Sequence, residues 1–354
     1  MRRMQRTGTG TAVETGGDRP RVLSLDILRG FSILLMLLVN NMVAATHTPG
    51  QLRHAGWGSG IHLADLAFPW FLLCVGVAIP FSTTGLERRG RPARRYRLRI
   101  LRRTVILLAL GAIIDISWDH EFVLFTVGVL QTIAICYAVA ALLYDLAARW
   151  RLLIAVVCLV GYWAAIKFVP IPGVGAGVFT EDQNLILYLN RTYLGRIGLW
   201  NLPRIVPTTA LTLIGTAVGD LIRREYVDMR WRAGHLAVLG VILTTGGYLW
   251  SLSLPYNKPV WTPSYVLFTA GLGTLLLGAL YLVVDVRGWR WWAFPLIVFG
   301  SNAIFAYVAP ILAKALILRP LGVHVVGWFH VTLFIVFWWA ILWLLRRKEI
   351  FLKV

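Results

Sequence analysis

Apolar segments alternate with arginine clusters along almost the whole of this chain, and that alternation limits what it can fold into. About ten segments are apolar throughout, at roughly 23–45, 61–83, 99–117, 122–144, 151–169, 204–222, 233–253, 262–285, 291–316 and 327–346. Each approaches the roughly 20 residues a helix needs to cross the hydrocarbon core. Every even-numbered segment is followed by arginines: the run ERRGRPARRYRLRILRR, then Arg149 and Arg151, then Arg223, Arg224, Arg230 and Arg232, then Arg287 and Arg290, and finally Arg346, Arg347 and Lys348. The odd-numbered connections (46–60, 118–121, 170–203, 254–261 and 317–326) are poorer in Lys and Arg. The positive-inside rule then puts the even connections and both termini in the cytoplasm. One segment more or fewer would break the alternation. The expected fold is an all-α, polytopic transmembrane helix bundle of about ten spans in the plasma or inner membrane. Residues 1–20 read as a disordered cytoplasmic tail and 21–354 as the membrane domain.

A formal charge of +19 would suggest nucleic acid on a soluble domain. Here the arginines flank apolar segments, so the partner they imply is the bilayer and no nucleic acid is expected. Hydrophobic residues make up 58% of the chain, above the roughly 45–50% of soluble domains. Cys74, Cys136 and Cys158 lie inside apolar segments and offer neither a disulfide framework nor a metal-ligand spacing.

Ionisable groups inside a span are expensive, so they nominate function. In the first segment Asp26 and Arg29 are spaced i, i+3 and pair on one face, either as a lock for the bundle or as a contact for a ligand. Asn40 lies fourteen residues beyond Asp26, nearly on the same face and roughly 21 Å further along. The next connection brings His47, His54 and His62 toward Asp65, which enters the second span. An imidazole beside a carboxylate serves as base, nucleophile or ligand. Spacings of seven and eight residues match no metal motif, so no metal is expected. The company of Trp57, a glycine-rich turn and Asp65 singles out His54. Thr262, Ser264, Tyr265, Thr269, Asn302 and Tyr307 are further polar residues within spans. Singly they suit helix packing; together they suggest a polar cavity lined by the first, second, eighth and ninth spans. The outer loop 170–203 is either a lid or a cover.

Several strings resemble the heparan-alpha-glucosaminide N-acetyltransferase family of transmembrane acetyltransferases, including its shorter bacterial members. They are SLDILRG, LLVNN, RHAGW with ADLAFPWFLLCVGVAI, GVLQTIAICY, NLPRIVPTTALTLIGTAVGDLI, NKPVWTPSYVLFTAGL and FGSNAIFAYV, in order from about Arg21 to Tyr307. The RHAGW and ADLAFPWF block is the most specific. Thr132 stands where an arginine is more usual in the family. The resemblance implies acetyl transfer from cytoplasmic acetyl-CoA, as co-substrate, to an amino sugar on the far side. It implies His54 as the active-site histidine and Asn40 as the family's asparagine at the outer end of the first span. Asp65 would then orient the imidazole. Asp26, Arg29, Ser264, Tyr265 and Asn302 stand as candidates for contact with the CoA. Transport or flipping of a sugar or glycolipid would use the same cavity without a thioester, and O-acylation would give an ester in place of an amide. The acceptor is a small molecule or saccharide, and a second copy of the chain stays open as a partner.

Overall fold

A computed structural model describes residues 22–42, 48–87, 93–119, 127–224, 226–323, 325 and 327–352. The expected tail 1–20 and His47 lie outside the described residues. The helices are α1 (Leu23–Met42), α2 (Leu63–Glu87), α3 (Ala93–Asp119), α4 (Val129–Leu142), α5 (Ala148–Phe168), a short α6 (Leu185–Leu189), α7 (Ile205–Arg223), α8 (Met229–Ser251), α9 (Pro263–Leu280), α10 (Phe294–Ser301), α11 (Ala303–Ala313) and α12 (Gly327–Arg347). Among the described residues no strand forms, only two isolated bridges, Ile171 with Gly175 and Phe179 with Asn184.

Among the described residues seven helices are long and apolar enough to cross a membrane, and a bent pair taken as one span raises the number to eight. The expected count of ten is therefore met only in part. The third segment is helical as α3, but arginines crowd its first half. Of the fourth, 122–144, residues 122–126 lie outside the described residues, and the helix described, α4, has fourteen residues. The ninth is broken: Trp291–Ser301 and Ala303–Leu318 meet at a 67° bend, a broken span or a re-entrant loop. The break is at Asn302, whose backbone leaves the helical region (φ −122°, ψ 51°). Its side chain donates to Ile350 O at 3.0 Å and accepts from Leu352 N–H at 2.9 Å, so the C-terminal backbone fills the notch.

Burial orders the bundle. The spans of α2 and α7 are 83% and 78% buried, those of α8 and α12 only 22%. The outer helices turn Val238, Val241, Ile242, Leu333, Val336 and Phe337 outward. Water would oppose that exposure and lipid tails would not. Lipid gives helices no hydrophobic reason to associate, so close backbone packing must hold them together. A methyl on Gly76 of α2 would stand 2.2 Å from Thr212 O, and one on Gly215 of α7 would stand 2.6 Å from Leu73 O. Neither position admits a side chain, and that contact fixes α2 against α7.

Candidate active site

The residues before α2 fold back onto its first turn because Asp65 collects their donors. Its Oδ2 accepts the N–H of Ala55 at 3.1 Å and of His62 at 3.0 Å. Its Oδ1 lies 2.9 Å from His54 Nδ1. Since a carboxylate only accepts, the proton of this contact sits on Nδ1. The Asp65 side chain is 2% exposed and that of His54 45%, so an enclosed carboxylate holds an accessible imidazole. Behind Asp65, the buried Tyr265 hydroxyl of α9 donates to the Asp65 carbonyl at 2.6 Å.

A third charged group arrives from the connection before α9. Lys258 Nζ stands 2.9 Å from His54 Nδ1, 3.2 Å from Nε2 and 3.5 Å from Asp65 Oδ1. The lone-pair directions of the two ring nitrogens diverge, so the ammonium is in line with at most one and acts on the ring chiefly as a neighbouring cation. Burial pushes the Lys258 amine below the usual lysine range, and the Asp65 charge pulls partly the other way. The loop is rigidly built. Asn257 Oδ1 accepts Val260 N–H at 2.8 Å, Thr262 Oγ1 accepts Asn257 N–H at 3.0 Å, and Ser264 Oγ donates to Leu254 O at 2.7 Å.

These groups open on a cavity of about 360 Å3. Its other walls are Phe68 of α2, Val127–Val129 and Thr132 at the start of α4, Asn201, Arg204 and Thr208 around the start of α7, and Pro259 with Trp261. Arg204 Nε is buried without a hydrogen-bond partner. Three described non-glycine residues have left-handed backbone, and two of them, Asn201 (φ 68°) and Trp261 (φ 59°), line this cavity. Such strain persists where the surroundings impose it and clusters at working sites. Loop 170–203 forms one wall: Asn201 belongs to it, and Phe179 packs on Trp57 with ring centroids 5.0 Å apart.

The candidates read from the sequence divide into those that meet here and those that do not. His54 and Asp65 meet. Asn40 is exposed in the last turn of α1, outside the cavity lining, while its neighbour Asn41 is buried and accepts from Lys314 Nζ at 2.8 Å. Ser264 and Tyr265 are fully buried and bonded to backbone carbonyls, so they hold the walls. Asp26 and Arg29 pair at 3.3 Å near the other end of α1, and Asn302 holds the C-terminal backbone. The cavity is thus walled by α2, α4, α7 and the loops before α2 and α9, not by the first and ninth spans. Of the polar residues expected to line it, Thr262, Ser264, Tyr265, Thr269 and Asn302 bond to backbone. Lys258 and Arg204 were missed. The signal for Lys258 was available: it is the one basic residue in a connection, 254–261, on the side that should be poor in them.

A family model described as "Heparan-alpha-glucosaminide N-acetyltransferase, catalytic" matches residues 21–254. Human heparan-alpha-glucosaminide N-acetyltransferase is 27% identical over 82% of this chain and 52% of its own length. The mouse protein of the same name is 25% identical over 81% of this chain and 53% of its own. The chain spans about half the length of the curated relatives it matches.

Proposed function

The chain belongs to the heparan-alpha-glucosaminide N-acetyltransferase family, and we propose that it moves an acetyl group from cytoplasmic acetyl-CoA to an amino sugar on the opposite side of the membrane. The observation that carries this reading is an imidazole held between Asp65 and Lys258 in a cavity of monosaccharide size. Ten crossings with both termini cytoplasmic fit the arginine distribution, and residues 21–354 act as one catalytic unit. His54 then faces away from the cytoplasm.

Asp65 fixes the Nδ1–H tautomer, so Nε2 attacks the thioester carbonyl carbon. The carbon–sulfur bond breaks, CoA leaves as thiolate and takes a proton from water, and the acetyl group rests on Nε2 of a ring that keeps its Nδ1–H and carries a positive charge beside the Asp65 carboxylate. The acceptor nitrogen then attacks that carbonyl, Nε2 departs with the bonding pair, and the nitrogen passes its proton through Nε2 to water to leave the amide. In the one-step alternative, His54 takes the proton while amine and thioester react directly. In either route negative charge develops on the carbonyl oxygen beside Nε2, within reach of the Lys258 ammonium. Asn40, on which the family's asparagine falls by resemblance, is the other candidate donor to that oxygen. Replacing Asn40 and Lys258 in turn separates the two donors.

Membranes containing the protein are incubated with labelled acetyl-CoA and a panel of amino sugars. Acetylated product that disappears with His54→Ala supports the reading. Full transfer by that variant overturns it. A burst of CoA release without acceptor marks the acetyl-histidine route, and an ester product would redirect the assignment to O-acylation.

A further inference from the structure

Helix α3 is divided lengthwise. One stripe, Tyr96, Ile100, Arg103 and Leu107, turns into the bundle. Tyr96 Oη donates to Ala141 O of α4 at 3.2 Å, the Arg103 guanidinium stacks on the Tyr137 ring at 4.3 Å, and Ile100 and Leu107 are buried. The opposite stripe, Arg94, Arg97, Leu98, Leu101 and Val105, follows the same three- and four-residue steps and is exposed throughout. Along it the order is charge first and aliphatic surface after. Among the described residues no carboxylate pairs with Arg94 or Arg97.

Beside this outward stripe, where α3 lies against α4, runs a groove of about 510 Å3. Arg94, Arg97, Leu101 and Thr104 form one bank, and Ala138 with Leu142 forms the other. Ala138 contributes only a methyl, so protein leaves the gap between the two helices unfilled there. From Arg94 to Thr104 the helix rises about 15 Å, the depth of one leaflet of a hydrocarbon core roughly 30 Å thick. The positive-inside rule accounts for arginines at a helix end. It does not supply a groove that starts at two of them and runs inward along apolar walls. The groove shares no residue with the reaction cavity, so it stands whether or not the chain transfers acetyl groups.

We propose that this groove is a binding site for a phospholipid with an anionic head group, such as phosphatidylglycerol. The i, i+3 spacing sets both guanidinium groups on one side of α3, where they grip the lipid phosphate. One acyl chain then runs past Leu101 and Thr104 and over Ala138. A phosphatidylcholine head would bring its own cation against the two arginines, so the site discriminates by charge. With the arginine-rich connections cytoplasmic, as proposed above, the head group lies in the leaflet whose surface is negative. The lipid joins α3 to α4, the helix whose Val129 and Thr132 line the reaction cavity.

The full chain is reconstituted in nanodiscs of phosphatidylcholine and phosphatidylglycerol and released into detergent, and the lipid retained per protein is counted by native mass spectrometry. Each arginine near an anionic surface is worth about fivefold in binding, so two give phosphatidylglycerol a preference of roughly thirtyfold. Arg94→Gln with Arg97→Gln is expected to bring that preference below about threefold. Ala138→Phe fills the groove without changing any charge and should lower phosphatidylglycerol retention at least tenfold. Arg99→Gln with Arg102→Gln removes the same charge from the other flank of α3 and should leave retention unchanged. Arg94 and Arg97 are exposed, so their replacement spares the fold, and that comparison decides the matter even where Ala138→Phe does not fold. Equal retention of the two lipids by the unaltered protein overturns the site. So does an equal loss in the Arg99 and Arg102 variant, which reduces the effect to the general pull of a cationic helix on an anionic membrane. Displacement of the lipid by CoA or inorganic phosphate overturns it as well, because the arginines then serve a soluble phosphate.

Discussion

Two of the charged clusters held by this bundle differ in what is left unsatisfied. Arg151 of α5 is 2% exposed. It donates to Asp220 and Thr216 of α7 and to Leu146 O at 3.1 Å, and its guanidinium stacks on Tyr144 at 4.6 Å. The Tyr144 hydroxyl donates to Asp220 at 2.7 Å and accepts from Arg223 at 3.1 Å. Every group is answered by protein and none borders a described void. His54, Asp65 and Lys258 are held as firmly, yet the imidazole and the ammonium face an open cavity. Buried charge alone does not mark a reaction site. Charge that is fixed in place and still faces a cavity nominates one.

Substitutions can break this contrast. The largest loss is expected for His54→Ala, at least about 10³-fold in transfer rate with little change in melting temperature, since the side chain is nearly half exposed. Arg151→Ala should do the reverse. It strands Asp220, and because that carboxylate keeps 23% exposure the cost is about 2–3 kcal/mol, below the roughly 3–5 of a fully buried pair. Calorimetry and activity per folded molecule separate the two outcomes. If Arg151→Ala abolished chemistry at unchanged stability, the contrast would be wrong.

Lys258→Met should lower kcat about 10²–10³-fold, the usual loss for one oxyanion donor, and Lys258→Arg should recover part of it. The amine sits below the usual lysine range, so its ammonium form is lost earlier than a free lysine's as pH rises. Activity should then decline on the alkaline side, and Lys258→Arg, whose guanidinium stays charged, should remove that decline. Asp65, His54 and Arg204 share the cavity. A decline that survives in Lys258→Arg would assign it to another group. The smallest effect is expected for Asn40→Ala, less than about tenfold, because Asn40 is exposed and off the cavity. A loss as large as that of Lys258→Met would mean that α1 brings its amide to the imidazole during turnover.

Much of the fold was legible because crossing a bilayer is decided locally. Each apolar run answers to lipid by itself, and the expected limits of α1, α5, α7, α8 and α12 fall within a few residues of those observed. The break in the ninth segment was not legible, because Asn302 there is bonded by the backbone of Ile350 and Leu352, about fifty residues away. The site was half legible. His54 and Asp65 are eleven residues apart on one loop and helix start, and the resemblance pointed to the histidine. Lys258 is 204 residues from His54, and no spacing rule joins them.

Hydropathy, arginine placement and short motifs sufficed for a helical membrane protein and for its nominated histidine, because each reports chemistry carried by one residue or one turn. Which buried polar groups remain free was settled by packing. Ser264, Tyr265 and Asn302 have the same composition as cavity-lining groups, and only the backbone that reached them first made them structural. Lys258 and Arg204 became part of the site because α7 and α9 carry them to the same end of the bundle as His54, and close packing of α2 with α7 at Gly76 and Gly215 holds that arrangement.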